Sequence, residues 1–288
     1  MKMQYRLIVS DFDGTLRRTE GGISDGNIRA ISEYVEAGGV FALCTGRMAS
    51  SIRPYAKELG LKGLLAAYQG AIIEDIESGK TVRDMRIPCE KAAEICRRLE
   101  SRDYHIHVYD GDKFWSNKAD GLLREYERIC GVKAEIAPDI TGTVARERIR
   151  PHKVLVMCPP EERDKAYAFA KKEFGGELYV TTSSEFLVEI VRKGSDKGGA
   201  LEYLSEHYGI PLSQSVAIGD NINDLPMIRK AGLGVAVENG EKELKEAAGF
   251  ITRTCDEDGV AYVIRKFGLG EELCTNRKRF CSTVFAAI

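Results

Sequence analysis

The chain has 288 residues, of which 43% are hydrophobic and 30% charged, a balance typical of a globular protein of about two domains. Its 42 Lys and Arg against 44 Asp and Glu give a net charge of -2, whereas proteins dedicated to nucleic acid usually carry a basic excess. No apolar run approaches the roughly 18 residues that cross a membrane, and Met1–Ser10 is unlike a signal peptide. We therefore expect a cytoplasmic protein that binds neither nucleic acid nor membrane.

The N-terminal part of the sequence predicts alternating strands and helices. Short apolar runs are typical of buried strands, and a helix is expected between the N-cap candidate Ser24 and Gly38. The short connections between these elements favour a parallel sheet covered by helices. The predicted elements are strands at 5–10, 40–44 and 64–68 and helices at 24–37 and 50–59.

The pattern changes between residues 85 and 190. Helical periodicity alternates there with strand pairs, and Asp110-Gly111 is a hairpin signal. Such mixing predicts an α+β module on an antiparallel sheet. The predicted elements are helices at 88–100, 122–130 and 161–174 and strands at 105–109, 113–116, 154–158, 178–182 and 186–191.

The first pattern resumes after residue 190. We predict helices at 197–208, 225–230 and 260–267 and strands at 216–218 and 235–237. The fold class is therefore α/β, with a discontinuous core at 1–84 and 191–288 and an inserted α+β domain at 85–190. The tail at 274–288 shows no clear period.

The cysteines form no C-x-x-C pair, which gives no support to a zinc ribbon or a thioredoxin-type motif. We expect reduced thiols that pack as small hydrophobic side chains. They are Cys44, Cys89, Cys96, Cys130, Cys158, Cys255, Cys274 and Cys281.

Acidic pairs follow two of the predicted strands. Asp11 and Asp13 come directly after the first strand, and Asp220 and Asp224 follow the strand at 216–218. Because Asp220 and Asp224 are four residues apart, a helical turn would bring them to one face. In open α/β sheets, ligands bind beyond the carboxyl ends of the strands. Carboxylates gathered there repel one another unless a cation neutralises them, and hard oxygen ligands favour Mg²⁺. A solvated turn and a capped helix start are the alternatives for the two segments.

Two further segments could contact a phosphate. Thr45-Gly46-Arg47 follows the second strand, where a hydroxyl, a backbone N–H and a guanidinium could hold an anion. Lys197 lies near the start of a predicted helix and offers a compact positive charge. Taken alone, the first segment is more often a turn and the second a solvated surface lysine.

The four segments together resemble the ordered motifs of the haloacid dehalogenase (HAD) superfamily. The matching stretches are DFDGTL from Asp11, TGR from Thr45, KG from Lys197 and GDNIND from Gly219. The NDLPM stretch, the AGLGVAV stretch and a later DGVA are similar to the Cof-type phosphatases, over about residues 5–267. The resemblance implies a three-layer Rossmann-like core and, in the position of the insertion, a C2B-type cap that selects the substrate.

The resemblance also implies a Mg²⁺-dependent phosphatase that hydrolyses small phosphorylated metabolites, such as sugar phosphates, through an aspartyl-phosphate. Asp11 would be the nucleophile and Asp13 the general acid and base. Mg²⁺ would lie on the Asp11 side chain, the Asp13 main-chain carbonyl and Asp220. Thr45 and Lys197 would bind phosphoryl oxygens.

The remaining motif residues would act around that centre. Asn223 and Asp224 would order metal-bound water or the lysine. Gly46 and Arg47 are candidates for binding phosphate or substrate. Family members commonly have Asn where this chain has Gln69, and often Asn where it has Cys255, so the polar contacts at these two positions are expected to differ.

Two other functions are compatible with the same motifs. A phosphomutase uses related motifs but returns the phosphoryl group to its substrate, and a sensor would bind a phosphorylated metabolite without turnover. A dinucleotide site has no support because the G-x-G near Gly232 lacks its third glycine. His105 and His107 alternate along one strand, and a structural role is favoured over metal binding.

Overall fold

The computed structural model describes residues 3–272. The unassigned tail at 274–288, with Cys274 and Cys281, lies outside that part of the chain. The six cysteines within it carry free thiols. Among the helices of this described part, none has both the length and the apolar character needed to cross a membrane.

Residues 3–272 contain the following strands and helices. The strands are β1 (Leu7–Ser10), β2 (Val40–Leu43), β3 (Leu64–Ala67), β4 (Ile72–Asp75), β5 (Thr81–Asp84), β6 (His105–Asp110), β7 (Lys113–Ser116), β8 (Glu135–Ile136), β9 (Lys153–Met157), β10 (Leu178–Ser184), β11 (Leu187–Arg192), β12 (Ser215–Gly219), β13 (Leu233–Ala236) and β14 (Phe250–Ile251). The helices are α1 (Asp25–Glu36), α2 (Ala49–Glu58), α3 (Cys89–Glu100), α4 (Gly121–Cys130), α5 (Ile140–Arg146), α6 (Pro160–Phe174), α7 (Lys197–His207), α8 (Leu225–Lys230), α9 (Lys242–Ala247) and α10 (Gly259–Val263).

A five-stranded parallel sheet forms the centre of the α/β unit, in the spatial order β14–β13–β12–β1–β2. Alternate residues of β1 point to opposite faces. Ile8 packs with the α1 and α2 side, whereas Leu7 and Val9 pack with α7 and α8. Helices therefore cover both faces, and the three-layer α/β fold expected from the sequence is confirmed.

An antiparallel unit of β3, β4 and β5 extends this sheet beyond β2. Cys44 and Ala66 form a parallel bridge, and the Thr45 N–H donates to the Ala66 carbonyl at 2.9 Å. The residues around Gly79 are hairpin-like in the sequence, but the strands β4 and β5 themselves were not predicted. β4 has only two apolar residues, Ile72 and Ile73, and β5 is largely exposed, so neither has the apolar run that marks a buried strand.

The second sheet, which we call the cap sheet, has the order β10–β11–β9–β6–β7–β8. Its pairs are antiparallel except β7 with β8, which is parallel. One face packs on α3, α5 and α6. Residues of the opposite face, including Tyr109 and Leu155, join the apolar cluster of the core. This second face therefore lies over the α/β unit.

The edge strand β8 and the helix α5 were not predicted from the sequence. β8 has two exposed residues, and α5 is a seven-residue helix containing Gly142. Neither is long enough to establish a period.

Candidate active site

An acidic cluster lies at the carboxyl ends of β1 and β12. These strands are hydrogen-bonded neighbours in the parallel sheet, so the residues that follow them meet at one edge. Carboxylate oxygens of Asp11, Asp220 and Asp224 lie within 4.8 Å of one another. The structure thus brings together three of the four acids singled out in the sequence.

Lys197 lies within this cluster. Its side chain is fully buried, and its Nζ lies 2.8 Å from Asp11 Oδ1 and also contacts Asp224 Oδ1. Asp196 caps helix α7 by accepting the Gly199 N–H, which fixes the lysine in the first turn. A Cβ at Gly198 would lie 2.8 Å from the Pro226 carbonyl, so glycine permits this close approach of α7 to α8. The alternative of a surface lysine is wrong.

The cluster carries more negative than positive charge. Burial raises the pKa of Asp11 well above its usual range, against the opposing effect of Lys197. Burial and the neighbouring Asp224 raise the pKa of Asp220 to about 7. Burial alone would lower the pKa of Lys197, but Asp11 and Asp224 raise it. Three carboxylates around one ammonium form an oxygen-rich site that fits a divalent cation.

The glycines of the two acidic motifs make room for the carboxylates. Gly14 has φ +73°, and a Cβ there would lie 2.5 Å from Asp220 Oδ2. A Cβ at Gly219 would lie 2.4 Å from Asp224. Thr15 Oγ1 donates to Asp220 Oδ1 at 2.7 Å. Each motif therefore positions a carboxylate of the same cluster.

Asp224 orders the loop after β12 rather than a helix face. Its Oδ2 accepts the N–H groups of Asp220 and Asn221, both at 2.9 Å, within a single 3₁₀ turn at Ile222–Asp224. The prediction that an α-helical turn joins Asp220 to Asp224 is therefore wrong, because α8 begins only at Leu225.

Asp13 lies beside the cluster and is paired with Arg47. The guanidinium binds the carboxylate through two bonds, Nε to Oδ2 at 2.6 Å and Nη2 to Oδ1 at 2.7 Å. Arg47 also lies over the Phe12 ring, 5.1 Å from its centroid. Thr45 Oγ1 accepts the Arg47 N–H at 3.2 Å. The loop after β2 therefore brings its hydroxyl and guanidinium to the same edge as Asp11.

The two positions that depart from the family pattern lie in different places. Gln69 is fully buried; its Oε1 accepts from Asn223 Nδ2 at 3.1 Å, and its Nε2 donates to Glu189 Oε2 at 3.0 Å. Cys255 is buried beside Thr19, away from the cavity described next. Gln69 therefore links the core to the cap sheet, and Cys255 does not.

A cavity of about 230 Å³ lies between the acidic cluster and the cap sheet. Its core wall includes Asp11, Asp13, Thr45, Arg47 and Asn223. The cap contributes residues that the sequence reasoning missed, namely Tyr126, Cys130, Lys153, Ser183, Ser184, Phe186, Leu187 and Glu189.

Two of these cap residues could have been identified from the sequence. Lys153 and Glu189 are charged residues within apolar strand runs, HKVLVM and LVEIV. Both side chains are buried, and charges are rarely buried without a partner. A charge in a predicted buried strand therefore marks a candidate site residue.

The strand histidines form a buried polar chain instead of a metal site. The Nε2 atoms of His105 and His107 lie 3.1 Å apart, and His107 Nδ1 lies 3.1 Å from the Tyr109 hydroxyl. His105 Nδ1 lies 3.2 Å from Asp120. These contacts link β6 to the start of α4.

A parallel sheet with acids at its carboxyl edge, and a second sheet above that edge, is the arrangement of a capped α/β hydrolase. The model of the haloacid dehalogenase-like hydrolase family matches residues 8–264. The chain belongs to this family, within its Cof-type phosphatases, and is a phosphoric monoester hydrolase.

Individual proteins show the same relationship. A putative phosphatase of Haemophilus influenzae is 29% identical over 92% of this chain and 98% of its own length. The 5-amino-6-(5-phospho-D-ribitylamino)uracil phosphatase YcsE of Bacillus subtilis is 31% identical over 93% of this chain and 97% of its own. A haloacid dehalogenase-like hydrolase from Bacteroides thetaiotaomicron has a TM-score of 0.78 at 29% identity, covering 91% of this chain and 99% of that structure.

Proposed function

We propose that this protein is a cytoplasmic, Mg²⁺-dependent phosphatase of small phosphorylated metabolites, such as sugar phosphates, that acts through an aspartyl-phosphate on Asp11. The observation that carries the proposal is the position of Lys197. A buried ammonium 2.8 Å from the carboxylate of Asp11, which lines the cavity, can hold a phosphoryl oxygen beside a nucleophilic oxygen.

The acidic cluster supports a Mg²⁺ site. The Asp11 and Asp220 carboxylates, with the main-chain carbonyl of Asp13, would hold the ion, as the family resemblance implies. When bound, the ion would offset the excess negative charge and stabilise the charge of the transferring phosphoryl group. Burial and Asp224 raise the pKa of Asp220 to about 7, and a bound cation would favour the ionised form of this carboxyl.

The reaction would proceed in two displacements. An oxygen of the Asp11 carboxylate attacks phosphorus, the bond from phosphorus to the ester oxygen breaks, and Asp13 protonates the departing alkoxide. Asp13 then takes a proton from water, whose oxygen attacks phosphorus and releases phosphate and the free Asp11 carboxylate. In the structure Asp13 lines the cavity with Asp11, although Arg47 occupies both of its oxygens.

The surrounding polar groups would bind the phosphoryl oxygens. Thr45 and Lys197, with the backbone at Gly46, reach the edge that holds Asp11. Arg47 is a further candidate, since a guanidinium that binds the Asp13 carboxylate through two bonds can bind phosphate in the same way. Asp224 would hold Lys197 in place.

Asn223 and the cavity size bear on the substrate. Asn223 lines the cavity and would orient water or substrate near the phosphate. The volume of about 230 Å³ lies below the roughly 300–1,000 Å³ of drug-sized ligand sites, which favours a small leaving group. The B. subtilis relative YcsE is named for a phosphorylated ribityl compound, which supports a small phosphorylated metabolite as the substrate class.

The test is release of phosphate from an aryl phosphate with and without Mg²⁺. We expect release only with Mg²⁺, and its loss in Asp11→Asn but not in Asp164→Asn, which changes an exposed aspartate of α6. Binding of sugar phosphates without any release would favour the sensor, and activity only with an added bisphosphate would favour the mutase. Either result would overturn the proposal.

A further inference from the structure

The cap sheet holds an ion pair that stability alone does not explain. Lys153 on β9 and Glu189 on β11 are 2% and 1% exposed, and Lys153 Nζ lies 3.4 Å from Glu189 Oε2. Burying an ion pair is often no more stabilising than well-packed apolar side chains. Both residues line the cavity above Asp11, which is a functional position.

Each member of the pair also contacts a loop of the core. Lys153 Nζ donates to the Gly46 carbonyl at 2.9 Å. Glu189 Oε2 accepts from Gln69 Nε2 at 3.0 Å, and Gln69 in turn accepts from Asn223. The pair is therefore fixed relative to the loops that carry the phosphate site.

The cavity has unfilled hydrogen-bond acceptors. A carboxylate offers about four acceptor positions, and Glu189 accepts two hydrogen bonds, from Gln69 and the Ser183 hydroxyl, beside its ion pair with Lys153. Asn223 Oδ1 is buried and has no partner among the described residues. A ligand that satisfies both acceptors must itself donate hydrogen bonds.

The other cavity groups define the kind of donor. Lys153 and Arg47 place two cations on the wall, which disfavours a cationic amine. Phe186, Leu187 and Tyr126 supply apolar surface, which suits the C–H faces of a sugar or polyol. Hydroxyl groups on a carbon skeleton fit both features.

Gln69 adopts a strained conformation at this site. Its φ is +61° and that of Tyr68 is +50°, in the left-handed region that Asn adopts more readily than Gln. Asn would be shorter by one methylene and would not span the distance to Glu189. Strain of this kind persists where function requires the residue.

We propose that Glu189 determines specificity by accepting hydrogen bonds from a polyhydroxylated leaving group. Gln69 and Lys153 are positioning residues that hold its carboxylate over the phosphate site. This inference rests on the proposed phosphatase function and names the part of the substrate that the cap recognises.

The test compares two substrates of similar length, a hexose 6-phosphate and n-hexyl phosphate, which lacks the hydroxyls. We expect wild type to favour the hexose phosphate in kcat/KM. In Glu189→Gln the ratio of the two kcat/KM values should fall at least tenfold, because a neutral amide is a weaker acceptor than a carboxylate. Glu74→Gln is the matched control, since Glu74 is 3% exposed and forms an ion pair with Arg53 outside the cavity.

Gln69→Asn provides a second and independent variant. It should lower the same ratio about fivefold or more, because Asn would lose the bond to Glu189, while its better fit to the left-handed conformation offsets part of the lost stability. A merely structural role for Gln69 would leave the ratio unchanged.

The outcomes separate this inference from the proposed function. A wild type that hydrolyses neither these esters nor an aryl phosphate overturns both. Active enzyme with no preference for the hexose phosphate, or with a ratio unchanged in Gln69→Asn and in a folded Glu189→Gln, overturns only the specificity inference. The specificity inference is also overturned if Glu74→Gln lowers the ratio of the two kcat/KM values as much as Glu189→Gln does.

Discussion

Two buried lysines, Lys197 beside Asp11 in the core and Lys153 in the cap wall of the cavity, have different electrostatic surroundings. Lys197 contacts Asp11 and Asp224, with Asp220 in the same cluster. Lys153 has one carboxylate partner, Glu189, and lies 4.9 Å from the centroid of the Tyr109 ring. The core cluster has an excess of negative charge, and the cap pair is balanced.

This difference separates chemistry from recognition. An acidic excess attracts a cation and leaves a carboxylate free to react, so the core cluster suits phosphoryl transfer. A balanced and hydrogen-bonded pair has no charge to neutralise, but it can orient hydroxyl groups of a ligand. Substitutions at Lys197, Lys153, Asp220 and Thr15 test this difference.

Lys197→Met should lower kcat for aryl phosphate by about 10³-fold or more, since it removes the charge that would stabilise the transition state. Steady-state kinetics with saturating Mg²⁺ measures the loss. Lys230→Met, which removes a partly exposed lysine paired with Glu202, serves as the control. A loss under tenfold in Lys197→Met would contradict the assignment of the core cluster to chemistry.

Lys153→Met should lower kcat/KM by about 10–100-fold, chiefly through KM, because the Gly46 carbonyl and Glu189 lose a donor at the substrate site. Breaking a buried pair also costs stability, on the order of 3 kcal/mol, so denaturant unfolding should accompany the kinetics. A fall in kcat as large as that of Lys197→Met would remove the distinction between the two lysines.

The contribution of Asp220 to the stability of the metal-free protein should decrease as pH rises. The pKa of Asp220 is about 7 in the folded protein against an ordinary 3.8, so the folded state retains a proton that the unfolded chain releases. The contribution is complete below about pH 4, is lost between about pH 4 and 7, and amounts to at most about 4 kcal/mol. Asp11 acts in the same direction.

Asp220→Asn isolates this contribution. Urea unfolding of metal-free wild type and of this variant across the same pH range gives the difference due to Asp220. Added Mg²⁺ should oppose the loss in wild type, because it binds the ionised carboxylate. If the unfolding free energy of wild type minus that of Asp220→Asn stays constant or rises from pH 4 to 7, the proposed contribution of Asp220 is contradicted.

Thr15→Val should have the smallest effect. It removes the hydrogen bond to Asp220 Oδ1 with little change in volume, and loss of such an orienting partner weakens metal binding by about tenfold. A Mg²⁺ titration of activity measures the change in the apparent dissociation constant. An unchanged constant would argue that Asp220 does not bind the ion.

Much of the core could be predicted because its signals are local. Apolar runs such as 5–10 and 40–44 mark buried strands, and the residues just after them meet at one edge in any parallel sheet. The side chain of Lys197 could not be placed this way. Its burial depends on the close packing of α7 on α8, which a single segment does not show.

The cap could be predicted as an α+β module but not as a binding surface. The cap-sheet face that covers the cavity is set by how the cap sheet packs on the core. The alternation of apolar and polar residues along a single strand does not contain this information. Gln69 illustrates the limit: its change from the family pattern is visible in the sequence, whereas its bond to Glu189 joins residues 120 positions apart.

The proposed mechanism depends on a covalent bond between Asp11 and phosphorus. Peptide mapping by mass spectrometry of enzyme quenched in acid, during turnover of an aryl phosphate with Mg²⁺, detects such a bond. We expect a phosphoryl group on Asp11 in the peptide that contains it, and none in Asp11→Asn. Undiminished turnover by Asp11→Asn, or a phosphoryl group on another residue, would contradict it.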